Sequence, residues 1–166
     1  MILKAIRKLF SGTVYVRISE ERLRVHHLDS EAVYDQRPFI ALDTANPSKV
    51  TIQEIGDAAY ALHADSRFTV SNPFSHPRSL VSDFGNAERV LTHAIREVHQ
   101  AQFIAPSPVV IMHPLDKLEG GLTDVECRVF RELAMGAGAR EVHLHVGNPL
   151  SLTHFDWDQI RSPDDR

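Results

Sequence analysis

Cysteine is almost absent from this chain: Cys127 is the only one among 166 residues. A single thiol cannot form an internal disulfide, which fits a reducing compartment. The sequence also has no run near the roughly 18 apolar residues that a membrane-spanning helix needs, and its first residues lack the long apolar core of a signal peptide. We therefore expect a cytoplasmic protein without a transmembrane helix.

Positive charge is not in excess either. The chain has 18 Lys and Arg against 22 Asp and Glu, which gives a formal net charge of −4. Nucleic-acid-binding domains usually carry a basic face or stripe, so we expect no nucleic-acid partner. HExxH, CxxC, GxSxG and P-loop patterns are missing as well, which argues against several common catalytic and metal centres. With 43% hydrophobic residues, the length fits a single folded domain.

The most informative stretch, residues 107–146, predicts strand, loop, helix and strand. A short apolar run between Pro108 and Pro114 is typical of a strand buried on both faces. Thr123 and Glu126 form a capping box, which predicts the start of a helix. This helix should present one apolar stripe and end near two glycines, before a strand in which apolar residues alternate with histidines. The residues behind these predictions are Val109, Val110, Ile111 and Met112; Val125, Val129, Phe130, Leu133 and Ala134; Gly136 and Gly138; and Val142 and Leu144.

The first half of the chain predicts an antiparallel hairpin. Apolar residues recur at every second position, first up to Ile18 and then again from Leu23, with a charged turn between the two runs. A third strand is predicted at residues 32–42, although Pro38 would need an edge or bulge position. The alternating residues are Val14, Val16 and Ile18, then Leu23 and Val25.

The region that follows the hairpin is less regular. We predict a helix at residues 53–62 and a short strand at residues 79–84. Asn86 is then the predicted N-cap of a longer helix that packs on the sheet. The apolar face of that helix consists of Val90, Leu91, Ala94, Ile95 and Val98. The folded domain should cover residues 11–150, and residues 151–166 form a polar tail.

Residues 1–10 predict a short basic amphipathic helix. Such a helix either docks on the domain or lies in a membrane interface, with its apolar face in the acyl region and its cations near anionic lipid. The second interpretation predicts peripheral contact with the inner face of the cell membrane. The residues that would make this contact are Ile2, Leu3, Ile6, Leu9 and Phe10 on the apolar face and Lys4, Arg7 and Lys8 on the basic face.

Three histidines form the only metal-site candidate. His143 and His145 point to the same side of their predicted strand, and His113 ends the neighbouring strand, so three imidazoles are able to converge. Histidines on strands are more often packed or surface groups than ligands, and no second ligand motif supports a metal. We predict no metal site.

Two segments of this sequence resemble MreB, the bacterial actin-like rod-shape family. They are PSPVVIMHP and TDVECRVFRELAMGAGAREVHL, and the order of SDF at 82–84 and EVHQAQFIAPSP at 97–108 is similar to that of the family too. The resemblance implies an α/β, ribonuclease-H-like (actin-like) single domain, with a mixed sheet of about five strands and flanking helices. It covers the first subdomain (IA) only, and the chain is expected to stop where the second phosphate loop of the family begins.

The resemblance also implies that the nucleotide site is degenerate. The family binds ATP through glycine-rich loops and metal-binding carboxylates. Aligning the hairpins puts Val16 at the position of the first metal-binding Asp and Ile18 at that of the loop glycine, with Ser19, Glu20 and Glu21 completing the turn. Two adjacent carboxylates without a glycine should repel a triphosphate. Val16 also removes the carboxylate that a ribonuclease-H-like nuclease would need.

Other expected catalytic groups are weak or missing. Glu126 aligns with a glutamate that the family places near the hydrolytic water, but its place in a capping box already explains it. The family's paired glutamates before a proline are replaced by the string VGNP at residues 146–149.

We therefore expect a protein that is not an enzyme and binds no cofactor. It would be an MreB/actin-like protein-interaction domain linked to cell-shape or cytoskeletal machinery at the membrane, with MreB-type filaments or copies of itself as partners. The alternative is half of a split actin-like ATPase, completed by a partner chain and using Glu126.

Overall fold

The computed structural model describes residues 12–99 and 106–163. The amphipathic helix predicted for residues 1–10 therefore lies outside the described residues. The strands are β1 Thr13–Ile18, β2 Leu23–His27, β3 Val33–Gln36, β4 Ile40–Asp43, β5 Thr51–Ile55, β6 Phe68–Ser71, β7 Val109–Pro114 and β8 Glu141–Leu144. The helices are α1 Asp57–Ala61, α2 Phe84–His99 and α3 Asp124–Gly136, followed by a 3-10 helix at Trp157–Gln159.

The main sheet has five strands in the order β3-β2-β1-β7-β8. β1 pairs antiparallel with β2 and parallel with β7, and β7 pairs parallel with β8. This confirms the predicted hairpin, the predicted strand–helix–strand unit and the mixed sheet of about five strands. A second, antiparallel sheet of three strands, in the order β5-β4-β6, was not predicted.

Helices α2 and α3 cover one face of the main sheet and form the larger core with it. Val16 and Val110 point into this core from neighbouring strands, while Leu91 and Leu133 meet them from the helices. All four side chains are fully buried. Ile40, from the three-stranded sheet, joins the same core, so the two sheets share one hydrophobic interior.

The opposite face of the main sheet is covered by the segment that follows β8. Tyr15 and Ile111, which are fully buried, pack there with Leu150. Phe155 and Ile160, in the predicted polar tail, also contact this smaller core. Part of the tail therefore has a packing role that its polar composition hides.

The third predicted strand, residues 32–42, is wrong as a single element. The chain divides near Pro38: β3 pairs with β2 in the main sheet, whereas β4 belongs to the three-stranded sheet. A proline has no N–H to donate to a ladder and has a fixed φ. The division at this point has that physical cause.

Three other local predictions also need correction. The helix predicted at 53–62 is a strand, β5, followed by the short helix α1, with Gly56 between them at φ 83°. No strand forms at residues 79–84: residues 79–83 are irregular, and α2 begins at Phe84. Its N-cap is Asp83 and not Asn86, because the Asp83 carboxylate accepts the Asn86 N–H at 3.0 Å.

Helix α3 begins as predicted, but the set of residues that it buries differs from the predicted apolar stripe. The Thr123 hydroxyl accepts the Glu126 N–H, and the Glu126 carboxylate accepts the Thr123 N–H at 2.8 Å, so the capping box is confirmed. Val125 is 72% exposed, however, and Cys127 is buried in its place. The buried stripe is centred on Cys127 and Phe130. Val125, in the first turn, lies at the edge of the apolar arc and faces away from the sheet.

Candidate functional site

The turn between β1 and β2 lies where the resemblance places the first phosphate loop. It is closed by its own hydrogen bonds: the Ser19 N–H donates to the Arg22 carbonyl at 2.9 Å, and the Arg22 N–H donates to the Ser19 hydroxyl oxygen at 2.9 Å. Val16 and Ile18, just before the turn, are fully buried in the helix-side core. Neither is able to reach a ligand at the turn.

Glu20 ties this turn to two other loops. Its N–H donates to Asp116 at 2.7 Å and its carbonyl accepts from Asn72 at 2.7 Å. Its carboxylate accepts from the Ser75 hydroxyl at 2.6 Å and lies 3.6 Å from the Lys117 ammonium. The Ser75 hydrogen bond, and then the Lys117 charge, hold the pKa of Glu20 below its usual range. Glu20 is therefore a fixed, ionised carboxylate.

The hydrogen bonds of the turn leave little capacity for an anion. A phosphate loop works because several backbone N–H groups point at the ligand. In this turn the N–H groups of Ser19, Glu20 and Arg22 already have acceptors within the protein. Glu21 adds an exposed carboxylate beside Glu20. The turn therefore presents negatively charged hydrogen-bond acceptors to a ligand, and not the N–H donors that an anion needs.

An open cleft of about 810 Å³ lies between this turn and the three-stranded sheet. Phe39 and Tyr60 form its aromatic side, with ring centroids 5.0 Å apart. The Arg37 guanidinium lies 4.2 Å from the Tyr60 ring centroid. Glu20 and Glu21 also line the cleft. The cleft is thus of mixed charge.

Glu126 is engaged in its capping box. One carboxylate oxygen accepts both from the Thr123 N–H and from the Thr123 hydroxyl, each at 2.8 Å. Both interactions stabilise the start of α3. Using this carboxylate to orient a water would mean giving up bonds that hold the helix end.

The structure brings together two of the three candidate histidines. The rings of His113 and His145 have centroids 4.5 Å apart, and both side chains are buried. His143 instead contacts Glu141 at 3.0 Å and the ring of Trp157, 5.2 Å away between centroids. Among residues 12–99 and 106–163, no group of three or more His, Cys, Asp or Glu side chains has a metal-binding arrangement.

His113 is held in a buried hydrogen-bond chain that the sequence did not predict. The Leu150 N–H donates to the Tyr15 hydroxyl at 3.2 Å, and Tyr15 lies 2.6 Å from His113 Nδ1. His113 Nε2 lies 3.0 Å from the Gly147 carbonyl. Since a carbonyl only accepts, Nε2 carries the proton and Nδ1 accepts from Tyr15. The side chain is thus satisfied as a neutral imidazole.

His145 makes an equivalent set of bonds. Its Nε2 lies 2.8 Å from the Asn148 carbonyl, and its Nδ1 accepts the Arg161 N–H at 2.9 Å. Burial, and then the neighbouring His145, lower the pKa of His113 to about 4. The two histidines bind the loop after β8 and the C-terminal segment to the sheet. The only sequence signal for this role was the placement of Tyr15 and His113 on adjacent strands.

Comparison with known proteins identifies the scaffold. A family model described as MreB/Mbl protein matches residues 16–150. The chain belongs to the MreB/Mbl family. It is 28% identical over 152 residues to the cell shape-determining protein MreB of Pasteurella multocida, and 29% identical over 153 residues to that of Escherichia coli K12. These matches cover 91% and 90% of this chain but only 42% of each relative.

Solved structures confirm the actin-like fold. MreB5 of Spiroplasma citri bound to ADP superposes with a TM-score of 0.64 at 14% identity, covering 82% of this chain and 38% of that one. A non-polymerising MamK mutant bound to AMPPNP gives a TM-score of 0.64 at 10% identity, with 82% and 41% coverage. This chain therefore corresponds to the first part of such proteins. Within the described residues, no helix is long and apolar enough to cross a bilayer.

The buried histidine pair predicts a specific pH dependence of stability. A histidine with a folded pKa near 4, against an ordinary 6.5, is neutral in the fold and protonates first in the unfolded chain. Stability should therefore fall as pH drops from 6.5 towards 4, by ~3 kcal/mol for this group alone at about 1.4 kcal/mol per pKa unit. His113→Gln should flatten the slope of unfolding free energy against pH in urea titrations.

His154→Gln serves as the control, because His154 is exposed. It should keep the slope of the parent protein. A His113→Gln variant with the parent slope would show that His113 is not the buried neutral group described above. Slopes are compared rather than absolute stabilities, since losing the Tyr15 hydrogen bond alone costs about 1 kcal/mol or more.

Proposed function

We propose that this chain is a non-catalytic member of the MreB/Mbl family that acts through contacts with other proteins in cell-shape or cytoskeletal assemblies. The observation that carries the proposal is the state of the turn at Ser19–Arg22. The N–H groups of Ser19, Glu20 and Arg22 bond within the protein, and the side chains of Glu20 and Glu21 are carboxylates. The relatives, which are named as cell shape-determining proteins, support the proposed link to cell shape.

The electrostatics of the turn support the absence of ATP binding. Two unit charges of the same sign about 4 Å apart repel by ~4 kcal/mol at the effective dielectric of a protein surface. A triphosphate at this turn would meet Glu20 and Glu21 without gaining N–H donors in return. A phosphate contact with the Ser19, Glu20 or Arg22 N–H would first require breaking an existing bond, such as that between the Glu20 N–H and Asp116.

The alternative, half of a split actin-like ATPase, requires two further conditions. A partner chain would have to supply the second wall of the site, and Glu126 would have to leave its capping bonds with Thr123. No further contact of the described residues favours this function. The capped state of Glu126 supports a structural role.

The partners that the proposal implies are MreB-type filaments or further copies of this chain. We also propose peripheral contact with the inner face of the cell membrane through residues 1–10. That part of the proposal is supported by the sequence alone, in which five apolar residues alternate with three cations at helical spacing.

The proposal predicts that Mg·ATP will not bind. In isothermal titration calorimetry of the purified chain, ATP should give no heat of binding up to about millimolar concentration. A Kd at this limit, 1 mM, corresponds to a binding free energy of only about 4.1 kcal/mol. The melting temperature should also be unchanged by ATP, because a ligand stabilises only a fold that it binds. Binding in the micromolar range would refute the non-catalytic assignment.

The membrane part predicts a loss of liposome binding on truncation. In flotation with vesicles rich in anionic lipid, the full chain should float, and a chain beginning at Ser11 should stay at the bottom of the gradient. A full-length variant with Lys4, Arg7 and Lys8 all changed to Gln should float less, by about 1 kcal/mol of binding per cation lost. Equal flotation of the full and truncated chains would exclude residues 1–10 as the anchor.

A further inference from the structure

Four arginines form a contiguous row, here called the arginine row, beside the β1–β2 turn. Fewer carboxylates than guanidinium groups lie within ion-pair distance along this row. Asp35 lies 3.0 Å from one arginine and 3.2 Å from the next. Asp57 lies 4.0 Å and 3.9 Å from two of them. Two carboxylates therefore serve three guanidinium groups, and the fourth has none within 4.0 Å among the described residues. The row consists of Arg37, Arg22, Arg24 and Arg17, in that spatial order.

Arg17 is the arginine without a carboxylate. It lies on the central strand β1, directly opposite Arg24 on β2 and His113 on β7. Its Nη2 is 3.4 Å from His26 Nδ1, and its guanidinium carbon is 5.5 Å from the Tyr15 ring centroid. Its Nε is buried and has no hydrogen-bond partner. The side chain is half-buried, so one part of the guanidinium group remains accessible.

The surroundings of Arg17 do not compensate its charge. A half-buried charge with no carboxylate beside it costs free energy, and such a group is retained when it serves another purpose. The adjacent imidazoles carry no negative charge. Burial, and then the Arg17 charge, also lower the pKa of His26, so that this neighbour tends to stay neutral beside the cation. An anion that reaches the accessible part of the guanidinium group would compensate this charge.

We propose that the arginine row binds an acidic segment of a partner protein, with Arg17 receiving a carboxylate that this chain does not supply. This inference rests on the proposed protein-binding function and names the chemistry of the partner. The planar guanidinium fork matches a carboxylate with two parallel hydrogen bonds.

The spacing and sign of the charges favour an acidic peptide over a polyphosphate. Arg22, just before β2, and Arg24, within it, lie two residues apart. In extended backbone this spacing is about 6.6 Å, which is also the repeat of side chains on one face of an extended peptide. Asp35 and Asp57 sit within the row and Glu21 is close by in the turn. Closely spaced phosphates would meet these carboxylates, whereas a peptide is able to place its acidic groups between them.

The test uses a fluorescein-labelled octaglutamate peptide and the full chain in fluorescence anisotropy at about 0.05 M salt, where surface charges are weakly screened. The peptide should bind, and Arg17→Gln should weaken binding about tenfold, the loss expected for one charge-assisted hydrogen-bonded pair. Arg17→Lys, which keeps the charge but loses the fork, should fall between the two.

Arg128→Gln is the matched control. Arg128 pairs with Glu132 on α3, on the helix side of the sheet, and its loss changes the net charge by the same amount. It should weaken peptide binding less than twofold. Equal losses in the Arg17 and Arg128 variants, or no binding of the peptide by the parent chain, would overturn the proposal.

Melting temperatures separate binding from folding. Because Arg17 has no carboxylate partner among the described residues, Arg17→Gln should melt at the temperature of the parent or above it, and the peptide should stabilise the parent but not this variant. A lower melting temperature for both Arg17 variants would assign Arg17 a structural role and contradict the proposal.

Mg·ATP and a single-stranded oligonucleotide are measured in parallel. If ATP binds through Arg17 and the peptide does not, the proposed function fails too; if none of the three binds, only the acidic-partner inference fails.

Discussion

The parallel pairing of β1 with β7 is the constraint on which the rest of this fold depends. The two strands run side by side from the pair Thr13 and Val109 to the pair Ile18 and Pro114. Central parallel strands are buried on both faces and need cover on both sides. Helices α2 and α3 give that cover on one side. On the other side it comes from the segment after β8, which is bound through Tyr15, His113 and His145. The same pairing sets the β1–β2 turn beside the loop after β7, where Asp116 accepts the Glu20 N–H.

Much of this architecture was predictable because its signals are local. The apolar run between Pro108 and Pro114, the capping box at Thr123 and the alternation that ends at Ile18 each specify an element within a few residues. The division of the chain at Pro38 was not predicted, since it depends on which sheet each half joins. Val125 was assigned to the core on spacing alone. Only the position of the helix on the sheet selects Cys127 in its place.

In the candidate site, too, some features were predictable from the local sequence and others were not. The two carboxylates of the turn are visible in the sequence, and they predicted a surface unsuited to phosphate. The backbone hydrogen bonds of Glu20 were not predictable, because Asp116 and Asn72 lie 96 and 52 residues from Glu20 along the chain. For the histidines, alternation on a strand left open a convergence of three imidazoles. In the structure His143 contacts Glu141, His113 bonds the Gly147 carbonyl and the Tyr15 hydroxyl, and His145 bonds the Asn148 carbonyl and the Arg161 N–H. A scaffold retained in this way does not by itself retain its activity.

The most direct test of whether the turn binds ATP is amide hydrogen exchange, followed by NMR, at the Ser19, Glu20 and Arg22 N–H groups with and without Mg·ATP. All three N–H groups should exchange slowly, and ATP should change neither their rates nor their chemical shifts. Fast exchange that ATP slows, with shifts confined to this turn, would show that the turn binds the nucleotide.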